Sequence, residues 1–205
     1  DIEPVATRAG APSGKTSQAA KVEQSKKRAY SFLTKAELDT LEKAARKNRW
    51  GKRDWLAIRM AYRHGLRASE LVGLEWNDID LDRGTVLIQR AKGGISSTHH
   101  LDGDVLRALR AIKRDQAPGV RHVFLSERGG PWASVSFSRM VERLGDEKLP
   151  DRGVHAHMLR HSCGHHLAAK GTDTRRIQDY LGHAAITSTK IYTQLQSVHL
   201  KGIWD

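Results

Sequence analysis

One short region does most to set the fold class. Residues 84–101, "GTVLIQRAKGGISSTHHL", hold two runs rich in β-branched and apolar residues, joined by the turn chemistry "AKGG". They predict an antiparallel β-hairpin with Lys92 beside its tip. "HVFLS", residues 122–126, reads as one further short strand. Elsewhere from Phe32 onward the apolar residues recur at helical spacing. The expectation is an α+β fold, mainly α-helical, with a small antiparallel β-hairpin or sheet.

Local signals place the helices. Thr34 followed by Glu37 is a capping box, and Leu38, Leu41 and Ala45 follow at helical spacing. "KRDWLAIRMAYRH" predicts a second helix with Trp55, Leu56, Ile58 and Tyr62 inward, stopped by Gly65. "LRASELVGL" predicts a short helix with Ser69 as its N-cap. "VLRALRAIKRD" places Leu106, Leu109 and Ile112 on one face. Ser134 or Ser136 can cap "FSRMVERLG". Leu159, Cys163 and Leu167 form an apolar stripe that ends before Gly171. "RRIQDYLG" turns Ile177 and Leu181 inward and stops at Gly182, and "TSTKIYTQL" makes a last helix. Leu200, Ile203 and Trp204 in the tail predict a docking segment. Residues 1–28 lack large apolar side chains and read as a disordered or weakly helical arm ending in Lys26, Lys27 and Arg28.

Charge narrows the partner. Thirty-five Lys and Arg against 23 Asp and Glu give a formal net of +12, with arginines scattered through the whole chain. Nucleic acid is the usual partner of such an excess, because each neutralised phosphate releases a counterion. Hydrophobic residues make up 39% of the chain, which supports a real core. No apolar run approaches the roughly 18 residues of a membrane span, and one cysteine permits no intrachain disulfide. A cytoplasmic, nucleoid-associated protein of a bacterium is the corresponding expectation.

The densest chemistry is "HAHMLRHSCGHHLAAKG", residues 155–171, with five histidines, an arginine and the lone cysteine. A hydrolytic zinc helix needs a glutamate after its first histidine; Met158 stands there, and there is no CxxC pair. A two-metal nuclease needs clustered carboxylates, and only Asp151 and Asp173 flank this helix. The expectation is no metal and no cofactor. Cationic donors can instead stabilise the extra negative charge of a phosphorane, and Arg160 stands one helical turn from His157. Taken singly, Arg67 reads as an ion pair with Glu70, Lys92 as a turn lysine, His183 as a cap and Tyr192 as a half-buried helix tyrosine. Cys163 reads as core, and His161 as a support for its helix.

Together, "GLRASEL", "RAKGG", "HMLRH", "LGH" and "IYT" stand in an order that resembles the tyrosine recombinase (phage integrase) family. The likeness runs from about Phe32 to Asp205, and Tyr192 stands nine positions after His183. "HGLRASEL", "HAHMLRHSCG" and "DTRRIQDYLGH" look most like the short recombinases that invert fimbrial promoter switches. The resemblance implies that catechism of residues for catalysis: Arg67, Lys92, His157, Arg160, His183 and the nucleophile Tyr192, with Glu70 in support. It implies a catalytic domain over 29–205 with a C-terminal docking tail and no separate N-terminal core-binding domain. It implies double-stranded DNA with specific sites as substrate, a tetramer on synapsed DNA, and DNA-bending accessory proteins, for inversion or for integration and excision. A topoisomerase-like nick-and-reseal enzyme of type IB and a non-catalytic DNA-binding accessory protein are the competing readings.

Overall fold

The computed structural model describes residues 32–90 and 94–182. The basic arm with Lys26, Lys27 and Arg28, the hairpin tip with Lys92, and everything from His183 through Tyr192 to the tail lie outside the described residues.

Helix α1, Lys35–Arg46, starts at the capping box read from the sequence: Thr34 accepts from the Glu37 N–H, and Glu37 accepts from the Thr34 N–H. Arg152 holds Glu37 from the far side at 2.5 Å. Helix α2, Gly51–Arg63, buries Trp55, Leu56, Ile58 and Tyr62 as expected and packs against α1. Helix α3, Ala68–Val72, is one short turn. It corrects the N-cap expectation: the cap is Arg67, not Ser69, because Glu70 reaches back to the Arg67 N–H at 3.0 Å.

Strands β1 (Ile79–Asp80), β2 (Thr85–Ile88) and β3 (Ser97–His100) form one antiparallel sheet in that order. β2 and β3 are the hairpin, with Val86 opposite His99 and Ile88 opposite Ser97. Residues 122–126 do not form the further strand: only isolated bridges occur there, Glu75 to His122 and Leu125 to Pro131. Neither neighbour runs alongside for more than one residue, so no ladder builds.

Helix α4, Gly103–Asp115, buries Leu109 and Ile112 and packs on α2. Helix α5, Ser134–Lys148, begins earlier than the two serines implied, with Ala133 as its N-cap. Helix α6, Ala156–Ala169, carries the histidines, and α7, Thr174–Leu181, is capped by Asp173, which accepts from the N–H groups of Arg175 and Arg176. The core lies among these helices, where Leu38, Leu41, Leu56, Ile58, Phe124, Phe137, Val141 and Leu159 have no exposed surface. No helix among the described residues is long and apolar enough to cross a membrane.

Candidate active site

The site begins with a glycine. α2 ends at Arg63, and Gly65 turns the chain at φ +58°, a conformation that favours glycine. A Cβ there would lie 2.3 Å from Leu181 of α7 and 3.5 Å from the Cys163 sulfur of α6. The missing side chain therefore lets three helix segments meet. It also turns the Gly65 carbonyl toward two guanidinium groups: Arg160 Nη1 donates to it, and so does Arg90 Nη1 at 3.2 Å.

Two residues on, Arg67 and Glu70 are joined twice, once through the backbone and once between Arg67 Nη1 and Glu70 Oε1 at 2.5 Å. Glu70 is the hub. Its side chain is 2% exposed, and its Oε2 also accepts from Arg90 Nη1 at 3.0 Å and faces Arg160 Nη1 at 3.9 Å. A carboxylate this deep keeps its charge only when cations surround it. Three guanidinium charges against one carboxylate leave the cluster positive by two. Such a centre attracts an anion.

The arginines differ in access. Arg67 keeps 31% of its side-chain surface and is open to a ligand. Arg160 keeps 1% and spends its donors on Gly65 and on the Leu181 carbonyl at 2.7 Å, so in this conformation it organises the site from beneath. Arg160 and His157 stand one turn apart on α6, yet the face expected of them is only partly shared. His157 stays at the surface, its ring 4.6 Å from that of His161. Partial burial, then the charge of Arg160, holds the His157 imidazole below its ordinary pKa. That shift favours the neutral form, which a general base requires. His161 is pushed down to about 4, first by burial and then by its histidine neighbours. Cys163 is buried on the apolar stripe and its thiol is pushed up to about 12 by burial, which makes it core and unreactive.

Behind the cluster stands a second pair. His64 and His99 are both buried, with Nδ1 atoms 3.3 Å apart, and His99 stacks on Tyr180 at 4.0 Å between ring centres. Burial takes both imidazoles down to about 3, so one donates to the other as neutral rings.

Of the residues singled out in the sequence, Arg67, Glu70 and Arg160 are brought together and His157 stands on the same helix as Arg160. Lys92, His183 and Tyr192 lie outside the described residues. Arg90 was missed. Its signal was available: Arg90 continues, two residues past the end of β2, the inward phase of Val86 and Ile88, so a charged residue falls at a buried position. Cavity size does not mark the site. A groove of about 790 Å³ runs along Trp76, Asp80, Arg83 and Lys113, away from the cluster, whereas the groove lined by Glu70, Arg90 and Arg121 is about 390 Å³.

The described residues form a mainly helical domain with a small antiparallel sheet, in which three arginines gather on one buried carboxylate. The chain belongs to the Phage integrase family, whose model matches residues 31–199. As a member of that family it is a site-specific recombinase. It is similar to the type 1 fimbriae regulatory protein FimE of Escherichia coli K12, at 37% identity over 179 residues, 85% of this chain and 90% of that one. FimB of the same strain is 40% identical over 178 residues, 85% and 89% of the two chains. Among solved structures, the XerA recombinase superposes with a TM-score of 0.71 at 26% identity over 82% of this chain. The match spans 62% of the XerA chain.

Proposed function

We propose that the chain cleaves and rejoins DNA at specific sites through a 3′-phosphotyrosyl intermediate, with Tyr192 as nucleophile. The Tyr192 oxygen forms a bond to phosphorus as the bond to the 5′ oxygen breaks. His157 takes the phenolic proton, and Lys92 gives one to the departing 5′ oxygen. A 5′-hydroxyl of a partner strand then reverses the step, so the bond energy is conserved and no nucleotide is consumed. Arg67 meets the non-bridging oxygens first, being the exposed guanidinium of the cluster. Arg160 and His183 join it in the closed complex with DNA. Glu70 fixes Arg67 by its two contacts.

The observation that carries this reading is the set of arginines gathered on Glu70. Preorganised donors of that kind stabilise a phosphorane without reorganising during the reaction. Strand exchange needs more than one active site, so we take the working form to be a tetramer on two synapsed duplexes, assisted by DNA-bending proteins. Its outcome is inversion, or integration and excision. The motifs that resemble fimbrial-switch recombinases, together with the likeness to two regulatory proteins of type 1 fimbriae, favour inversion. The domain of catalysis is taken as residues 29–205, with residues 1–28 as a basic arm that follows phosphates.

The test is a nicked suicide duplex, its sequence selected from a random pool by binding to the protein. The unaltered chain gives a covalent adduct on a denaturing gel, and Tyr192→Phe binds the duplex but gives none. An adduct that persists in Tyr192→Phe identifies another nucleophile and overturns the assignment.

A further inference from the structure

We propose that Arg90 is a positioning residue of this active site: it orients Glu70, and through Glu70 it sets the direction in which Arg67 presents its guanidinium. This rests on the reading of Arg67 as the phosphate-facing arginine.

The side chain of Arg90 has no exposed surface, so it does not meet DNA in this structure. It makes four side-chain hydrogen bonds. Nη1 donates to Glu70 Oε2 at 3.0 Å and to the Gly65 carbonyl at 3.2 Å, and Nη2 donates to the carbonyls of His64 at 3.1 Å and Tyr180 at 2.6 Å. Its own N–H donates to Ser96 across the neck of the hairpin at 3.2 Å. One planar fork thus joins the end of α2, the start of α3, the end of α7 and the root of the β2–β3 hairpin. Gly182 packs against the same side chain, where a Cβ would lie 2.5 Å from Arg90 Cγ.

Stability alone is a poor reason for this residue. The preceding inward positions of β2 are Val86 and Ile88, and a third apolar side chain would avoid the desolvation of a buried guanidinium. A fork of fixed geometry does what an apolar side chain cannot. By taking Glu70 Oε2 from behind, Arg90 leaves Oε1 aimed at Arg67 Nη1. With Oε2 held by Arg90 as well as by the Arg67 N–H, the carboxylate cannot rotate without losing both bonds. Lysine keeps the charge but has no planar fork, so it cannot hold Glu70 and the three carbonyls in one orientation.

The experiment is a double-mutant cycle on cleavage of the selected suicide duplex, with duplex affinity measured alongside. Arg90→Lys in the otherwise unaltered chain should slow cleavage about tenfold or more while affinity changes less than about threefold. In the Arg67→Ala background the same change should slow cleavage no more than about twofold, because the group it orients is gone. A purely structural Arg90 would give the same fold-loss in both backgrounds, and that result overturns the proposal, as does an Arg90→Lys enzyme with unaltered cleavage. If Arg67→Ala alone cleaves normally, the reading of Arg67 fails first and the proposal falls with it. Where Arg90→Lys gives no cooperative thermal melt, Arg90→Gln, which keeps donors without a buried charge, carries the same cycle with the same two outcomes.

Discussion

Glu70 meets its cations in two different ways. Arg67, three residues before it, is a partner that any reader of helix spacing can pair with it. Arg90 and Arg160 come from 20 and 90 residues away and reach it only because the fold closes. Arg160 was legible through its place in "HMLRH", but its burial was not, since its strongest partners are the backbone carbonyls of Gly65 and Leu181. Carbonyls carry no sequence signature. The His64–His99 pair was illegible for a similar reason, being a contact between a helix end and a strand. Its consequence is measurable. Each ring has a folded-state pKa near 3 against an ordinary 6.5, so the unfolded chain binds protons that the folded chain refuses. Stability is therefore full above pH 6.5 and falls as the pH drops from there toward 3. Between pH 7.5 and 5.5 the pair removes about 3 kcal/mol of unfolding free energy. Urea titrations at the two pH values check this, and His99→Phe, which keeps a ring against Tyr180, should remove about half of the pair's contribution. A stability that does not change with pH over that interval would contradict the buried neutral pair.

Helix ends, more than helix bodies, build this site. Gly65, Gly171 and Gly182 were readable as stops, and each takes a left-handed φ, at +58°, +75° and +64°. Helix starts were less readable. Ser69 was displaced as a cap by a glutamate reaching backwards, and Ser134 is already inside its helix. The three glycines are alike in backbone and unlike in surroundings, which gives a test. A Cβ on Gly171 would meet nothing within 4 Å, whereas one on Gly182 would meet Arg90 Cγ at 2.5 Å and the Ile95 carbonyl oxygen at 2.8 Å. Gly171→Ala should lose only the left-handed penalty, about 1–2 kcal/mol by urea titration. Gly182→Ala should lose a further 1–3 kcal/mol or so, because the Ile95 oxygen is backbone and cannot swing aside. It should also slow strand cleavage, since it pushes directly on Arg90. Equal losses at the two positions would show that Gly182 is not packed against the hairpin neck.

Across the whole molecule, positive charge is both diffuse and focused. The net +12 pointed to a polyanion from composition alone. The fold class was legible because one hairpin among helical segments leaves few alternatives, although the third strand, β1, was too short to show in the sequence. What composition could not show is the concentration of three guanidinium groups on one buried carboxylate, a property of the closed chain. The central claim is that Arg67, held in place by this cluster, meets the negative charge of the reacting phosphate, and charge can be removed from the substrate as well as from the enzyme. The selected suicide duplex is prepared with an ordinary phosphodiester or with a neutral methylphosphonate at the cleaved position, and adduct formation is timed with the unaltered chain and with Arg67→Ala. On the phosphodiester, Arg67→Ala should be slower by about 10²–10³. On the methylphosphonate, which has one negative oxygen fewer, that deficit should shrink to about tenfold or less. An undiminished deficit on the neutral substrate would contradict the claim.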